Sequence, residues 1–225
     1  MYYLMFILPA LIISIYAQFK VSSTFKRYSE VRSSRGITGA EAARTILARN
    51  GLGGIGLEAV AGNLSDHYDP TARTVRLSES VYGSNSIAAI GVAAHEAGHA
   101  IQHQQKYGPL ELRHAIVPIT NFASSASYFI LFLGMIIQSA NLLLVGIILF
   151  SAVVLFHLVT LPVELNASRR AVAQLSEAAL ITSSEVPMVK KVLGAAAFTY
   201  LAAVLAALSN LLYYILMFVG SSSDE

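Results

Sequence analysis

Four long apolar runs without Asp, Glu, Lys or Arg constrain this chain more than any other feature. They cover residues 2–17, 116–137, 142–161 and 193–219. A bilayer core is about 30 Å thick, and a helix needs about 20 apolar residues to cross it. Since 55% of the residues are hydrophobic and only 12% are charged, the composition is also typical of a membrane protein. The pattern predicts a mainly α-helical membrane protein with about four transmembrane helices.

The distribution of positive charge predicts how these helices are oriented. All 15 Lys and Arg residues lie between Lys20 and Lys191. By the positive-inside rule, the segments 20–115 and 162–191 face the cytoplasm and both termini lie outside. The first run has no positively charged start and no A-x-A-like cleavage site at its end, so it is interpreted as an uncleaved anchor rather than a signal peptide.

The segment between the first two apolar runs is the only extended polar stretch. Thr38 and Glu41 form a capping-box pattern that predicts a helix, and Gly51 is a suitable stop for it. Residues 57–60 and 74–77 have the composition of short strands, and residues 66–70 (DHYDP) are interpreted as a turn. Ser84, Asn85 and Ser86 offer N-caps for a helix over about 87–105. The polar stretch is therefore predicted to be a small α+β domain.

The predicted domain organisation follows from these segments. It comprises an N-terminal transmembrane anchor (1–19), a cytoplasmic catalytic domain (20–115), a transmembrane hairpin (116–161), a second cytoplasmic segment (162–192), a C-terminal transmembrane helix (193–219) and a polar tail (220–225).

A metal-binding pattern, HEAGH at residues 95–99, lies on the predicted 87–105 helix. Two histidines four residues apart project from one helix face and can share a tetrahedral metal ion. Glu96, beside the first histidine, can take a proton from a water molecule without binding the metal. The chain has no cysteine, so any further ligand must be His, Asp or Glu. The pattern predicts a Zn²⁺ site with His95 and His99 as ligands and Glu96 as the catalytic base.

The third ligand must come from another part of the chain. His103 lies two helical turns from His95, about 12 Å along the axis, which is too far for both to bind one ion. Gln105 occupies the position where metzincins have their third histidine. The favoured candidate is Glu164, which follows the third apolar run on a second helix. The candidates are Asp66, His67, Glu111, His114, His157 and Glu164.

Taken together, the HEAGH helix, the DHYDP segment, the N-terminal anchor and the later glutamate resemble the YugP-like membrane zinc metallopeptidases. That family is similar, more distantly, to the HtpX and CAAX prenyl membrane proteases, which carry a zincin-like HExxH helix and a downstream E-x-x-x-D. The resemblance implies that His95, His99 and Glu164 bind zinc and that Glu96 is the base. This sequence departs from the E-x-x-x-D pattern of the more distant proteases at Ser168, where Asp is usual and orients a ligand histidine.

The resemblance also implies an activity and a location. The expected protein is a gluzincin-like endopeptidase of the prokaryotic plasma membrane that cleaves membrane or membrane-proximal proteins. It implies that residues 74–77 form the edge strand on which an extended peptide substrate pairs. The donor for the oxyanion stays open among His67, Tyr68, Tyr107, His114 and His157.

Other functions agree less well with the sequence. A non-catalytic scaffold with a structural zinc would not need Glu96, and an intramembrane protease of the site-two type would need an Asp ligand in a later span, which the sequence lacks. A transporter is disfavoured because the spans carry few ionisable groups beyond His157 and show no inverted repeat. No basic tract is interleaved with aromatic residues, so nucleic acid is not an expected partner.

Overall fold

The computed structural model describes residues 2–221, in which helices dominate and a small sheet lies between the second and third helices. The elements, in chain order, are α1 (Tyr2–Ser29), α2 (Gly39–Arg49), β1 (Gly56–Val60), β2 (His67–Asp69), β3 (Thr74–Ser78), α3 (Glu79–Tyr82), α4 (Ile87–Gln104), α5 (Gly108–Ile136), α6 (Ala140–Glu177) and α7 (Val186–Ser221).

Within the described residues, four helices are long and apolar enough to cross a membrane, namely α1, α5, α6 and α7. This confirms the number predicted from the apolar runs. Helices α6 and α7 have 38 and 36 residues, well beyond the roughly 20 that a bilayer core requires. Both therefore extend past their apolar runs into polar sequence. Most of the predicted polar tail, residues 222–225, lies outside the described part of the chain.

The chain divides into two compact units. The first, here called the apolar unit, contains the described parts of Met1–Ala17, Pro109–Pro162 and Thr199–Glu225. The second, here called the mixed unit, contains Gln18–Gly108 and Val163–Phe198. The polar stretch between the first two apolar runs thus forms one unit with residues 163–198, which follow Pro162.

The interior of the apolar unit is built on close helix packing. Phe150 is 1% exposed, and its ring makes edge contacts with Tyr128 at 5.7 Å and Tyr214 at 5.4 Å between centroids. A Cβ added at Gly146 would lie 2.6 Å from Cγ of Leu131, so only glycine lets α5 and α6 pack this closely. Large apolar side chains are exposed elsewhere on these helices, as expected where the surrounding solvent is lipid.

The sheet of the mixed unit has the strand order β1-β3-β2. β1 runs parallel to β3, with Leu57 opposite Val75, and β2 runs antiparallel, with Tyr68 opposite the same Val75. β3 is therefore the central strand, and the prediction that residues 74–77 form an edge strand is wrong. Val75 and Leu77 are fully buried, which fits a strand paired on both sides, and the edges belong to β1 and β2.

The prediction of a turn over residues 66–70 is wrong for its first part. His67–Asp69 form strand β2, because the half-buried Tyr68 is held against β3. The turn begins only at Asp69, whose Oδ1 accepts hydrogen bonds from the backbone N–H groups of Thr71 and Ala72 at 2.9 and 3.0 Å. An Asx turn of this kind needs only the side chain of its first residue, so it leaves the preceding residues free to extend.

Helix α4 forms the centre of the mixed unit. It begins as predicted, since Ser86 Oγ accepts a hydrogen bond from the backbone N–H of Ala89 at 3.2 Å. Its alanines 88, 89, 93, 94, 97 and 100 are at most 1% exposed and face the surrounding elements. Helix α2, which has the predicted capping box at Thr38 and ends just before Gly51 (φ +70°), packs against it. The small side chains allow several backbones to approach α4.

The loop between α6 and α7 is fixed by Glu185, which is 4% exposed. Its carboxylate accepts hydrogen bonds from the backbone N–H groups of Ser34 and Thr182, both at 2.7 Å. Burial raises the pKa of this carboxyl, but the hydrogen bonds from Thr182 and Ser34 outweigh it and hold the pKa below its ordinary value. The ionised form is therefore the one that stabilises the fold.

We expect Glu185→Gln to lower the free energy of unfolding at neutral pH by about 1–3 kcal/mol, because one N–H group would then face an amide NH₂ instead of an oxygen. The stabilisation is complete above the unfolded pKa, near 4.3, and is lost as pH falls through the depressed folded pKa. Thermal unfolding of both proteins in detergent, from pH 7 downwards, measures this. The exposed Glu30→Gln serves as control, and a difference that persists at the most acidic pH would contradict the role of the charge.

Candidate metal centre

Helix α4 places the two histidines of the HEAGH pattern side by side. The ring centroids of His95 and His99 are 4.7 Å apart and the rings are nearly perpendicular, at 87°. The side chains are 14% and 12% exposed, so both rings are largely shielded from solvent. The i, i+4 spacing on a regular helix is sufficient to produce this arrangement.

Glu164 on α6 completes a group of three. Its side chain is 3% exposed, and Oε2 lies 3.2 Å from Nε2 of His95 and 3.5 Å from Nε2 of His99. The three ligand atoms lie within 4.8 Å of one another, and this is the only such group among the residues that the structure describes. Two imidazole nitrogens and one carboxylate oxygen are a donor set that fits zinc and leaves a fourth position open.

Gly98 explains how α6 comes close enough to contribute Glu164. A Cβ at this position would lie 2.9 Å from the carbonyl oxygen of Ala167, one turn beyond Glu164. Ala167 itself is fully buried. Any side chain at residue 98 would push α6 away from α4, and the carboxylate would move away from the histidines. The glycine of HEAGH therefore has a packing role.

Gln102 orients His99. The Gln102 side chain is fully buried, and its Nε2 donates hydrogen bonds to the backbone carbonyl of Val163 at 2.8 Å and to Oδ1 of Asn166 at 2.9 Å. Because these two acceptors fix the amide orientation, Oε1 must be the atom that faces Nδ1 of His99 at 2.9 Å. Nδ1 then carries the proton, and the lone pair of Nε2 points towards Glu164.

Ser168 lies beside Nδ1 of His95, as Gln102 lies beside Nδ1 of His99. Its Oγ lies 3.2 Å from Nδ1 of His95, on the side of the ring opposite to Glu164. As a neutral acceptor the Ser168 hydroxyl makes a weaker hydrogen bond than a carboxylate would.

Glu96 lies beside this group and is 8% exposed. No residue of the described chain donates a hydrogen bond to its carboxylate, although its charge acts on His99. Among the described residues, the only side-chain polar atoms that are fully buried without a hydrogen-bond partner are Oγ1 of Thr120 and Oγ1 of Thr160. The carboxylate oxygens of Glu96 are not among them, so they keep some contact with solvent. A carboxylate shielded this far and left without a donor is costly unless a water molecule or substrate uses it.

Comparison with known proteins gives this geometry a context. Residues 3–219 match the family described as "Putative neutral zinc metallopeptidase". The chain belongs to this zinc metallopeptidase family. A relative from Bacillus subtilis (strain 168), named "Putative membrane protease YugP", is 51% identical over 225 residues, which is the whole of both chains. No solved structure matches the chain.

Zinc is therefore the metal of the family, and the structure groups three suitable donors. Burial lowers the pKa of His99, but the hydrogen bond to Glu164 and the charges of Glu96 and Glu164 outweigh it, so the pKa is raised above its ordinary value. A ligand histidine must be neutral. We therefore expect protons to compete with zinc as the medium becomes acidic.

The other candidates for the third ligand lie outside the group. Asp66 Oδ1 accepts hydrogen bonds from the backbone N–H and hydroxyl of Ser78. His67 is exposed, with Nδ1 2.8 Å from the carbonyl of Ser65. Of the remaining candidates, Glu111 and His114 are exposed and His157 is half-buried beside Phe156.

The proposed oxyanion donors on the mixed unit also have partners. The Tyr68 hydroxyl lies 2.9 Å from Nδ1 of His103, which links β2 to α4. The Tyr107 ring lies 5.9 Å from the guanidinium of Arg170.

Gln102 is the site residue that sequence reasoning missed. The signal was available, since Gln102 lies seven residues after His95 and three after His99, on the same helix face. The helix pattern alone does not show that this position is buried, because its burial depends on α6, which is distant in sequence.

We expect Gln102→Leu to weaken zinc binding by about 10–100-fold, since a histidine that loses its orienting partner binds metal less well. Competition with a chelator of known affinity measures this. The control is Gln104→Leu, on the same helix but exposed and bonded only to the Asn50 carbonyl. Equal zinc affinity in native protein and Gln102→Leu would show that the buried amide does not orient His99.

Proposed function

We propose that this chain is a membrane-embedded zinc-dependent endopeptidase of the gluzincin type, with His95, His99 and Glu164 as ligands and Glu96 as general base. The observation that carries the proposal is the convergence of two Nε2 atoms on one carboxylate oxygen, with the partnerless Glu96 beside them. The family and the name of the B. subtilis relative support peptide-bond hydrolysis. Its substrates are proposed to be membrane or membrane-proximal proteins.

The residues divide the chemistry between them. His95, His99 and Glu164 would hold the zinc ion, which would lower the pKa of a water molecule and polarise the scissile carbonyl. Glu96 takes the proton of the attacking water and passes it to the amide nitrogen as the peptide bond breaks. Gln102 and Ser168 keep the two histidine rings in the tautomer that leaves each Nε2 free to bind the metal. Proton transfer is thus assigned to Glu96 alone.

An extended peptide requires a free strand edge, and the central position of β3 leaves β1 and β2 to supply it. We assign the peptide to β2, because the hydrogen bond between Tyr68 and His103 holds this strand against the helix that carries the metal ligands. Backbone hydrogen bonds to such an edge bind peptides with little dependence on side chains, which suits a protease with several substrates.

The test measures zinc content and cleavage by detergent-purified native protein, with casein and a membrane-protein extract as substrates. About one zinc per chain is expected, with cleavage that stops after chelation and returns when zinc is added. A zinc-loaded protein that cleaves neither substrate would favour the non-catalytic scaffold instead.

We also propose that the site faces the cytoplasm, which the confinement of all Lys and Arg to residues 20–191 supports. Since the chain has no cysteine, single cysteines can report topology. In right-side-out membrane vesicles, an impermeant maleimide should label Asn141→Cys in the α5–α6 connection region but not Gly53→Cys in the mixed unit, both exposed positions. The reverse labelling would place the site on the outside.

A further inference from the structure

A cavity of about 550 Å³ lies between α1 and α7 in the mixed unit, and the proposed reaction does not use it. The α1 residues that line it lie on one face of the helix, because they follow Lys20 by three, four, seven and eight positions. On α7 the small Gly194 and Ala195 leave the space open. The lining residues are Lys20, Ser23, Thr24, Arg27, Tyr28, Lys191, Gly194 and Ala195.

The cavity is strongly cationic. Three of its lining residues, Lys20, Arg27 and Lys191, carry positive charge, and none carries negative charge. Within residues 2–221, no carboxylate lies within ion-pair distance of Arg27 or Lys191. Three like charges around one cavity repel each other, so an anion that enters is favoured by each of them. The hydroxyls of Thr24 and Tyr28 add neutral donors, while that of Ser23 donates to the backbone carbonyl of Lys20 at 3.2 Å. Cations and hydroxyls together suit a phosphate group.

The position of the cavity along the helices indicates the source of the phosphate. Lys20 is three residues beyond the end of the first apolar run, about 4.5 Å along α1. Lys191 is two residues before the last apolar run begins. Headgroups occupy a layer of roughly 5–8 Å on each side of the bilayer core. The two lysines therefore lie at the level of lipid phosphates, and basic pockets between helices at this level bind anionic headgroups.

We propose that this cavity binds the phosphate of an anionic phospholipid headgroup. The phosphate would be held between α1 and α7 by Lys20 and Lys191, and Arg27, about 10 Å further along α1, adds positive charge in the part of the cavity farther from the bilayer core. Bound lipid would also stabilise the mixed unit, since Val189 and Val192 on α7 belong to its buried core. The proposal does not depend on the peptidase activity.

The chain offers a closely matched pair of variants. The test variant is Arg27→Gln with Lys191→Gln, which removes two cations that line the cavity. The control is Lys26→Gln with Lys190→Gln, which removes two exposed cations one residue away that do not line it. Both variants have the same net charge, and each loses two cations near the membrane. A third variant, Arg27→Lys with Lys191→Arg, keeps the charge of the cavity.

Binding is measured by native mass spectrometry of full-length protein titrated with phosphatidylglycerol, and by thermal unfolding in nanodiscs of phosphatidylcholine with or without phosphatidylglycerol. A cation near the headgroups contributes about fivefold to binding, so loss of Lys191 alone should weaken phosphatidylglycerol binding about fivefold, and loss of Arg27 should weaken it further. It should also lose the stabilisation by this lipid. The control and the charge-conserving variant should behave like native protein, and equal unfolding temperatures in pure phosphatidylcholine show that all variants fold.

Two results would overturn the proposal. An equal loss of binding in the test and control variants would mean a general attraction of basic residues to anionic membranes, with no role for the cavity. Stabilisation by inorganic phosphate in phosphatidylcholine nanodiscs, as large as that by phosphatidylglycerol and absent from the test variant, would assign the cavity to a soluble phosphate compound.

Discussion

Replacement of Glu96 by Gln should lower the rate of peptide-bond hydrolysis by about 10²–10⁴-fold, the usual contribution of a general base, while zinc content is unchanged. The amide has nearly the shape of the carboxylate but cannot accept a proton. Glu96 is not one of the three grouped donors, and no described residue donates a hydrogen bond to it, so its replacement breaks no contact that holds the fold.

The measurement pairs turnover of a peptide or casein substrate with zinc determined on the same preparation. Glu79→Gln, an exposed glutamate of the mixed unit, is the control for removal of one negative charge. A parallel loss of zinc and activity in Glu96→Gln would mean that the carboxylate supports the metal site instead of the proton transfer. Full activity would exclude it as the base and point to another proton acceptor.

The large-scale architecture could be predicted because its signals are local. An uncharged run of about 20 residues forms a helix in lipid whatever follows it, since its backbone groups must be satisfied within the segment. The HEAGH helix was equally accessible, because Ser86 caps it and the i, i+4 spacing alone brings the rings of His95 and His99 together. Glu164 was favoured as a candidate because it follows an apolar run on a second helix.

The sheet and the orienting residues depend on contacts that are distant in sequence. β2 has only three residues, and its segment was predicted to be a turn. The edge position of β3 was implied by the family resemblance, and the pairing of β3 with both β1 and β2 overturns it. Gln102 is recognisable as a site residue only when the carbonyl of Val163, 61 residues later, is known to lie beside it. The close approach at Gly98 has the same origin, since the glycine has no special backbone conformation and its role lies in the contact with Ala167.

Glu164→Ala should remove zinc from the protein. Loss of an orienting partner already weakens metal binding by about 10–100-fold, so loss of one of three ligands should exceed this. We therefore expect zinc to be lost on dialysis against a weak chelator and hydrolysis to fall to background. A measurement independent of activity is available as well, because added zinc should raise the unfolding temperature of native protein and not that of the variant.

The matched control for this change is Glu177→Ala, at the exposed end of the same helix, which should retain both zinc and its stabilising effect. The pair separates the metal site from a general effect of α6, because Gly98 and Ala167 keep α4 and α6 in contact in both variants. If Glu164→Ala keeps zinc and activity, the third ligand lies elsewhere, and His67, Glu111 and His114 become the residues to replace. If it keeps zinc and loses activity, Glu164 acts on the substrate or the water, and the metal is held mainly by the two histidines.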